Sequence, residues 1–359
     1  MFKKELIIFL TVIFLVTSVM GCTSPSMSET VTISITDMAG RTVEIPNDIT
    51  KVYATGSIGT IFLYTLTPEK LTGWNNPLEE TEKKYIKPEY HQLPALGTWR
   101  GTSTDGSIEE LLKIHPDLII NMGDVSEKYR SDADEIQKQL GIPVIMVDGS
   151  LESLAESYLF LGKILHSEER AQQLADYSQE TVDEIKNLKE GIPENNKLQV
   201  YYAAGPKGLE TVPKGSLNTE ILEFVGGINI ADPGIEKDIR RMDVSLEQIL
   251  KWNPDLIMIS AERDSKHEVY NTILADSSWK GLKAVENKAV YEIPGVPFDW
   301  FNRPPSVMRL IGMKWLGNLL YPDTYQMEIE QEVKEFFTAF FDYDLSDEEI
   351  KEILARSKR

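Results

Sequence analysis

Cysteine and histidine are scarce: among 359 residues there is one cysteine, Cys22, and there are four histidines. A lone cysteine excludes an intrachain disulfide and a cysteine-ligated cluster. His91, His115, His166 and His267 have no clustered partner in sequence, so a histidine-rich zinc or manganese site is not expected. Positive charge is also short, with 37 basic against 57 acidic residues and a net charge of −20. That balance argues against a nucleic-acid partner and reads as solubility outside the cell. Beyond the first 21 residues no apolar run is long enough to cross a bilayer. Nucleotide signatures are missing too. Gly56-Ser57-Ile58-Gly59 and Gly226-Gly227 match neither a phosphate loop nor a dinucleotide fingerprint, and Ser57 lacks the setting of a nucleophile elbow. No catalytic residue, metal-ligand set or cofactor is nominated, and an enzyme is not expected.

What the chain does contain is one segment written twice. Residues 107–120, SIEELLKIHPDLII, and 245–258, SLEQILKWNPDLIM, share eight identical positions, including Glu109/Glu247, Lys113/Lys251 and Pro-Asp-Leu-Ile. Each copy opens with Ser and carries Glu110 or Gln248 three residues on, the spacing of a capping box. Helices should begin after Ser107 and Ser245. Ile108, Leu111 and Leu112, like Leu246, Ile249 and Leu250, should share a packed stripe, with Glu109 and Lys113 four apart on the wet side and able to pair. Pro116 and Pro254 end the helices, and the apolar runs after them read as buried parallel strands.

At the start, Lys3 and Lys4 precede an apolar stretch from Leu6 to Val16, closed by Val19-Met20-Gly21-Cys22. This resembles a bacterial lipoprotein signal. It implies a signal peptide over 1–21, a lipid on Cys22 that anchors the protein to the outer face of the cell membrane, and a Ser/Thr/Pro-rich tether over 22–32. Cleavage would remove two lysines and one glutamate, leaving a net charge of −21.

Along the rest, 31–45 reads as a hairpin, and Lys51–Ala54, Leu71–Trp74, Leu93–Thr98 and Pro143–Val147 as strands of a first lobe. A helical stretch follows, broken at His166-Ser167 and stopped by Gly191-Ile192-Pro193. Leu198–Ala203, Leu256–Ile259 and Ala289–Ile293 supply strands of a second lobe, and the chain ends in helices with a charged tail. The expected fold is α/β: two Rossmann-like lobes with mostly parallel sheets, an N-terminal lobe over 33–160, an inter-lobe helix over 161–192 and a C-terminal lobe over 193–359, with a ligand cleft between the lobes.

Several motifs make this chain specific. Asp37-Met38-Ala39-Gly40-Arg41-Thr42-Val43-Glu44-Ile45-Pro46 leads into a strand; the two Glu-to-Pro-Asp units, Gly226-Gly227-Ile228-Asn229, Trp279 with Ala284-Val285, Val290-Tyr291-Glu292-Ile293-Pro294, Trp315-Leu316 and Phe336-Phe337 to Phe340-Phe341 follow in order. Over residues 33–355 the chain resembles the helical-backbone (class III) substrate-binding proteins of ABC importers for iron–siderophore complexes, haem and cobalamin. The resemblance implies a monomer that captures an iron(III) complex and hands it to a permease dimer with its ATPase, with Glu109 and Glu247 docking on the two permease subunits. Cobalamin, haem or a nickel or cobalt chelate is the alternative cargo, and a surface sensor or enzyme on the same fold the distant one.

Ligands of open α/β sheets bind beyond the carboxyl ends of the strands. The loops there offer Trp99 and Arg100, Tyr202, Arg240 and Arg241, and Trp300, Phe301 and Arg303, rings and guanidinium groups that suit an anionic chelate. His115 and His166 read as structural; His91, or a tyrosine such as Tyr202, is the candidate to touch a partly chelated metal.

Overall fold

The computed structural model describes residues 31–100, 103–232, 241–260 and 267–359; Cys22 and Arg240 lie outside them. The chain opens with the antiparallel hairpin Thr32–Thr36 and Thr42–Pro46. Its turn is organised by Asp37, whose Oδ1 accepts the N–H groups of Ala39 and Arg41 at 3.1 and 2.8 Å. Asp37 Oδ2 pairs with the Arg41 guanidinium at 3.0 Å and accepts the N–H of Met146, also at 3.0 Å. A charge-assisted pair thus fixes the turn against a strand more than a hundred residues away.

That strand, Val144–Asp148, belongs to a three-stranded parallel sheet with Val52–Ala54 and the central Leu118–Gly123. Leu118, Ile119 and Ile120 are all fully buried, as strands covered on both faces must be. A second, separate sheet is also parallel, in the order Ile228–Asn229, Gln199–Ala203, Leu256–Ile259, Val290–Glu292. Between the two sheets in sequence run the helices Leu154–Leu165 and Glu168–Glu190, separated where His166 takes a left-handed conformation at φ 53°. The 23-residue helix is about 34 Å long at 1.5 Å per residue.

The duplicated unit folds as its caps demand. Ser107 Oγ accepts the N–H of Glu110 at 3.1 Å and Ser245 Oγ that of Gln248 at 3.2 Å, starting the helices Ile108–Ile114 and Leu246–Trp252. Both helices end on a left-handed residue, His115 and Asn253. The expected apolar stripe is corrected: Leu111 and Ile249 are buried, whereas Ile108, Leu112 and Leu250 are 43%, 41% and 39% exposed. Helices of two turns reach the core with one row of side chains, and the rest of the stripe faces out. Leu71–Trp74 and Leu93–Thr98 do not form strands; they contribute only single bridges, Leu71 with Val52 and Trp74 with Ala95.

The largest hydrophobic cluster draws on both halves of the chain. The late helix Ile329–Phe341 turns its phenylalanines onto first-half rings: Phe341 lies 6.0 Å from Tyr64, Phe337 5.4 Å from Tyr85 and Phe340 6.3 Å from Tyr158. Nearby, helix Arg309–Leu320 presses Gly312 so close to the 294–305 loop that a Cβ there would sit 1.9 Å from the Trp300 carbonyl oxygen. Gly312→Ala is therefore expected to cost about 3 kcal/mol, read as a lowered urea midpoint; an unchanged midpoint would contradict this close approach.

Candidate functional site

The carboxyl ends of both sheets open on one cleft of about 1440 Å³. From the first half it is lined by Ser57 and Thr60 at the start of helix Ser57–Leu66, by Trp74, and by Asn75 through Glu82 and Arg100; from the second by Ala203 to Pro206, Ser260, His267, Glu268, Glu292, Phe298, Asp299 and Arg303. Glu352 and Arg356, near the C-terminus, complete the rim. Asn75 is fixed there by hydrogen bonds from its amide to the carbonyls of Ala54 and Gly97, while Thr60 donates to its Oδ1.

The structure sorts the site residues expected from sequence. Arg100 and Arg303 line the cleft and are exposed. Trp99 precedes Arg100 in a two-residue strand, and alternation sends its indole into the first-half core. The expectation that Tyr202, Trp300 and Phe301 offer ring faces to a ligand is corrected: all three are at most 1% exposed and none lines the cleft. Tyr202 stands on a strand covered on both faces, stacks on Phe301 at 5.3 Å and donates its hydroxyl to Ser260 Oγ at 2.9 Å. Trp300 fills the core behind the wall and donates Nε1–H to the Val296 carbonyl at 2.8 Å. Arg241 pairs with Glu210 at 2.9 Å away from the cleft. His91 does not line it either; its Nε2 meets the Ile86 carbonyl at 2.7 Å. His267 is the histidine that does.

The aromatic lining comes instead from Trp74 and Phe298, both largely buried. Sequence reasoning placed Trp74 in a strand and passed over Phe298 for its larger neighbour. The charge balance also differs from an arginine-dominated cleft: Glu79, Glu80, Glu82, Glu268, Glu292, Asp299 and Glu352 face Arg100, Arg303 and Arg356. Glu292 is committed to His267 and Arg356. Asp299 Oδ1 organises the loop by accepting the N–H groups of Phe301, Asn302 and Arg303 at 2.7, 2.7 and 3.2 Å, while Oδ2 is buried without a partner among the described residues. Burial pushes the Asp299 carboxyl up to about 6, against the pull of those three N–H groups and of the Arg303 charge. Among the described residues no group of three or more His, Cys, Asp and Glu side chains could hold a metal ion.

On the far faces of the repeated helices, Glu109 and Glu247 are exposed in their first turns. Neither forms the expected ion pair with Lys113 or Lys251 among the described residues. The Glu247 carboxyl is held below the ordinary range by its own backbone N–H and by the Ser245 hydroxyl.

A carboxyl raised in the folded state stabilises the fold when protonated, and that contribution is lost as pH rises through about 6. The chain should accordingly gain roughly 2 kcal/mol between neutral pH and pH ~4 from this group. Asp299→Asn keeps the amide-accepting oxygen and should remove that part of the pH dependence of the melting temperature; a variant that keeps the full wild-type profile would show that Asp299 ionises elsewhere.

Comparison with known proteins agrees with this geometry. An ABC transporter solute-binding protein from Sulfurospirillum deleyianum superposes with a TM-score of 0.80 at 31% identity, over 90% of this chain and 99% of that one. The molybdate-binding protein MolA of Haemophilus influenzae is 22% identical over 86% of this chain and 90% of its own length. The Fe(3+)-citrate-binding protein YfmC of Bacillus subtilis is 26% identical over 54% of this chain and 58% of its own. Such proteins bind solutes for ABC permeases and are not enzymes, and no helix among the described residues is long and apolar enough to cross a membrane. Residues 63–297 match the model of the periplasmic binding protein family, and the chain belongs to that extracytoplasmic family.

Proposed function

We propose that the protein captures an iron(III) chelate of the ferric-siderophore type in the inter-sheet cleft and delivers it to an ABC permease, tethered to the membrane by a lipid on Cys22. The observation that carries this reading is the cleft itself. About 1440 Å³, with guanidinium groups contributed from both halves, suits a bulky anionic complex and far exceeds one small ion. An iron–citrate binder among the relatives supports it. A small oxyanion is the second reading, favoured by the molybdate-binding relative that matches most of the chain.

Elemental and mass analysis of whatever co-purifies with the mature protein separates the two: iron with an organic chelator supports the first, molybdenum without one the second. In titrations with ferric dicitrate, Arg100→Ala and Arg303→Ala should each weaken binding about tenfold, or ~1.4 kcal/mol; native affinity in both would move the site elsewhere. Loss of binding in Trp300→Ala should instead accompany loss of the fold, since the indole is core. For delivery, exposed carboxylates in matching first turns of two duplicated helices can set a docking register. Glu109→Ala combined with Glu247→Ala is expected to leave affinity intact and abolish uptake by cells, and normal uptake would remove the docking role.

A further inference from the structure

The last turn of the chain reaches back to the cleft. Glu292 closes the strand Val290–Glu292, and its N–H donates to the Arg356 carbonyl while its own carbonyl accepts the Ser357 hydroxyl at 2.7 Å. Trp315 anchors the same turn by donating Nε1–H to the Ser357 carbonyl. The side chains then form a chain of contacts: the Arg356 Nε–H group donates to Glu292 Oε2, Arg356 Nη2 lies 2.6 Å from His267 Nε2, and His267 Nδ1 lies 3.0 and 2.8 Å from the two Glu292 oxygens. A guanidinium can only donate and a carboxylate only accept. His267 must therefore carry its proton on Nδ1 and present a bare Nε2 to the arginine. This uses two edges of the guanidinium and leaves Nη1 with no partner among the described residues, on a side chain that is 33% exposed and lines the cleft.

We infer that the C-terminal turn is part of the binding site: Arg356, oriented by Glu292 and His267, donates to an anionic oxygen of the bound complex. The inference rests on the cleft being the ligand site. Arg356 is the contact residue; Glu292 and His267 position it. Glu292 offsets its charge without occupying Nη1, so the group serves as a fixed donor rather than a free cation. The charged groups around His267 are Glu292 on the sheet, Arg356 on the terminal turn and Glu268 beside it on its own helix, with Glu352 and Asp299 lining the same cleft.

The test titrates the full chain with ferric dicitrate, with molybdate as a second anionic probe, by tryptophan fluorescence at neutral pH. Arg356→Lys, which keeps the charge but not the fork, should weaken dicitrate binding about tenfold. His267→Gln, which can donate to Glu292 and accept from Arg356, should keep the affinity, whereas His267→Ala, which can do neither, should weaken dicitrate binding severalfold. Unchanged affinity in Arg356→Lys, or equal affinity in His267→Gln and His267→Ala, overturns the inference and leaves the proposed function standing. Failure of both probes to bind the wild type overturns the proposed function and with it the ligand role of Arg356. The brace is judged without ligand by ¹⁵N NMR of the imidazole: an Nδ1–H tautomer is expected, and an Nε2–H tautomer would refute it.

Discussion

The architecture depends on one contact made twice: the aspartate of each Pro-Asp pair clamps the end of a short helix to the beginning of the neighbouring strand. Asp117 Oδ2 accepts the N–H groups of Thr50 and Lys51 at 2.8 and 2.9 Å and the Thr50 hydroxyl at 3.0 Å. Asp255 Oδ2 accepts the N–H of Gln199 at 2.8 Å. In both lobes the same residue returns a hydrogen bond, its own N–H donating to the carbonyl of Lys51 or Gln199. Partial burial alone would raise the Asp117 carboxyl, but the donors outweigh it and hold the group below the ordinary range. Parallel strands need such fixing, since no tight turn joins them and their register must be set by the connections. With the amino ends of two strands aligned in each sheet, their carboxyl ends emerge together on the cleft.

This explains why so much of the frame was legible in the sequence. Caps and left-handed helix ends act within a few residues of their helices, so the repeated 14-residue pattern carried both lobes and the parallel sheets with it, although its aspartates close on strands 66 and 56 residues away. The hairpin was equally local, through Asp37 and Arg41. The site was read less well because it is made of distant meetings. His267 and Arg356 are 89 residues apart and Glu292 and Arg356 are 64 apart; in sequence Arg356 looks like part of a charged tail. Trp300, Phe301 and Tyr202 stand where loops leave strands, but size is what the core claims first: a large ring gains more from full burial than from half-exposure on a wall. Arg100 and Arg303 could be placed in the cleft because a guanidinium belongs at a surface, and the loops after strands are the available surface.

Ordered backbone therefore builds the second-half wall, with the ring of Phe298 set into it. Asp299 gathers three consecutive N–H groups, Trp300 and Phe301 are driven into the core behind, and Arg303 is left at the rim. The cost is a buried carboxylate oxygen without a donor among the described residues. Such a loop is stiff but strained electrostatically, a combination that keeps a site open and shaped before its ligand arrives.

Stiffness also governs release. The two sheets are joined by the helix Glu168–Glu190 and are fastened again by the phenylalanines of Ile329–Phe341, which pack on Tyr64, Tyr85 and Tyr158 of the first half. A buried arginine adds a third tie: Arg309 donates to the Gly149 carbonyl at 2.6 Å, just beyond the strand Val144–Asp148, and pairs with Glu220 at 3.1 Å. The bond to Gly149 crosses between the halves from a buried arginine, so the fastening does not open by small fluctuations. A hinge of two flexible strands could swing closed around a ligand and open again unaided; a helix, an aromatic seam and a buried arginine hydrogen bond resist both movements. Affinity must then come from a cleft already shaped for its guest, and unloading must be driven by work done on the two halves from outside, where the permease of an ABC importer is the partner that the family supplies.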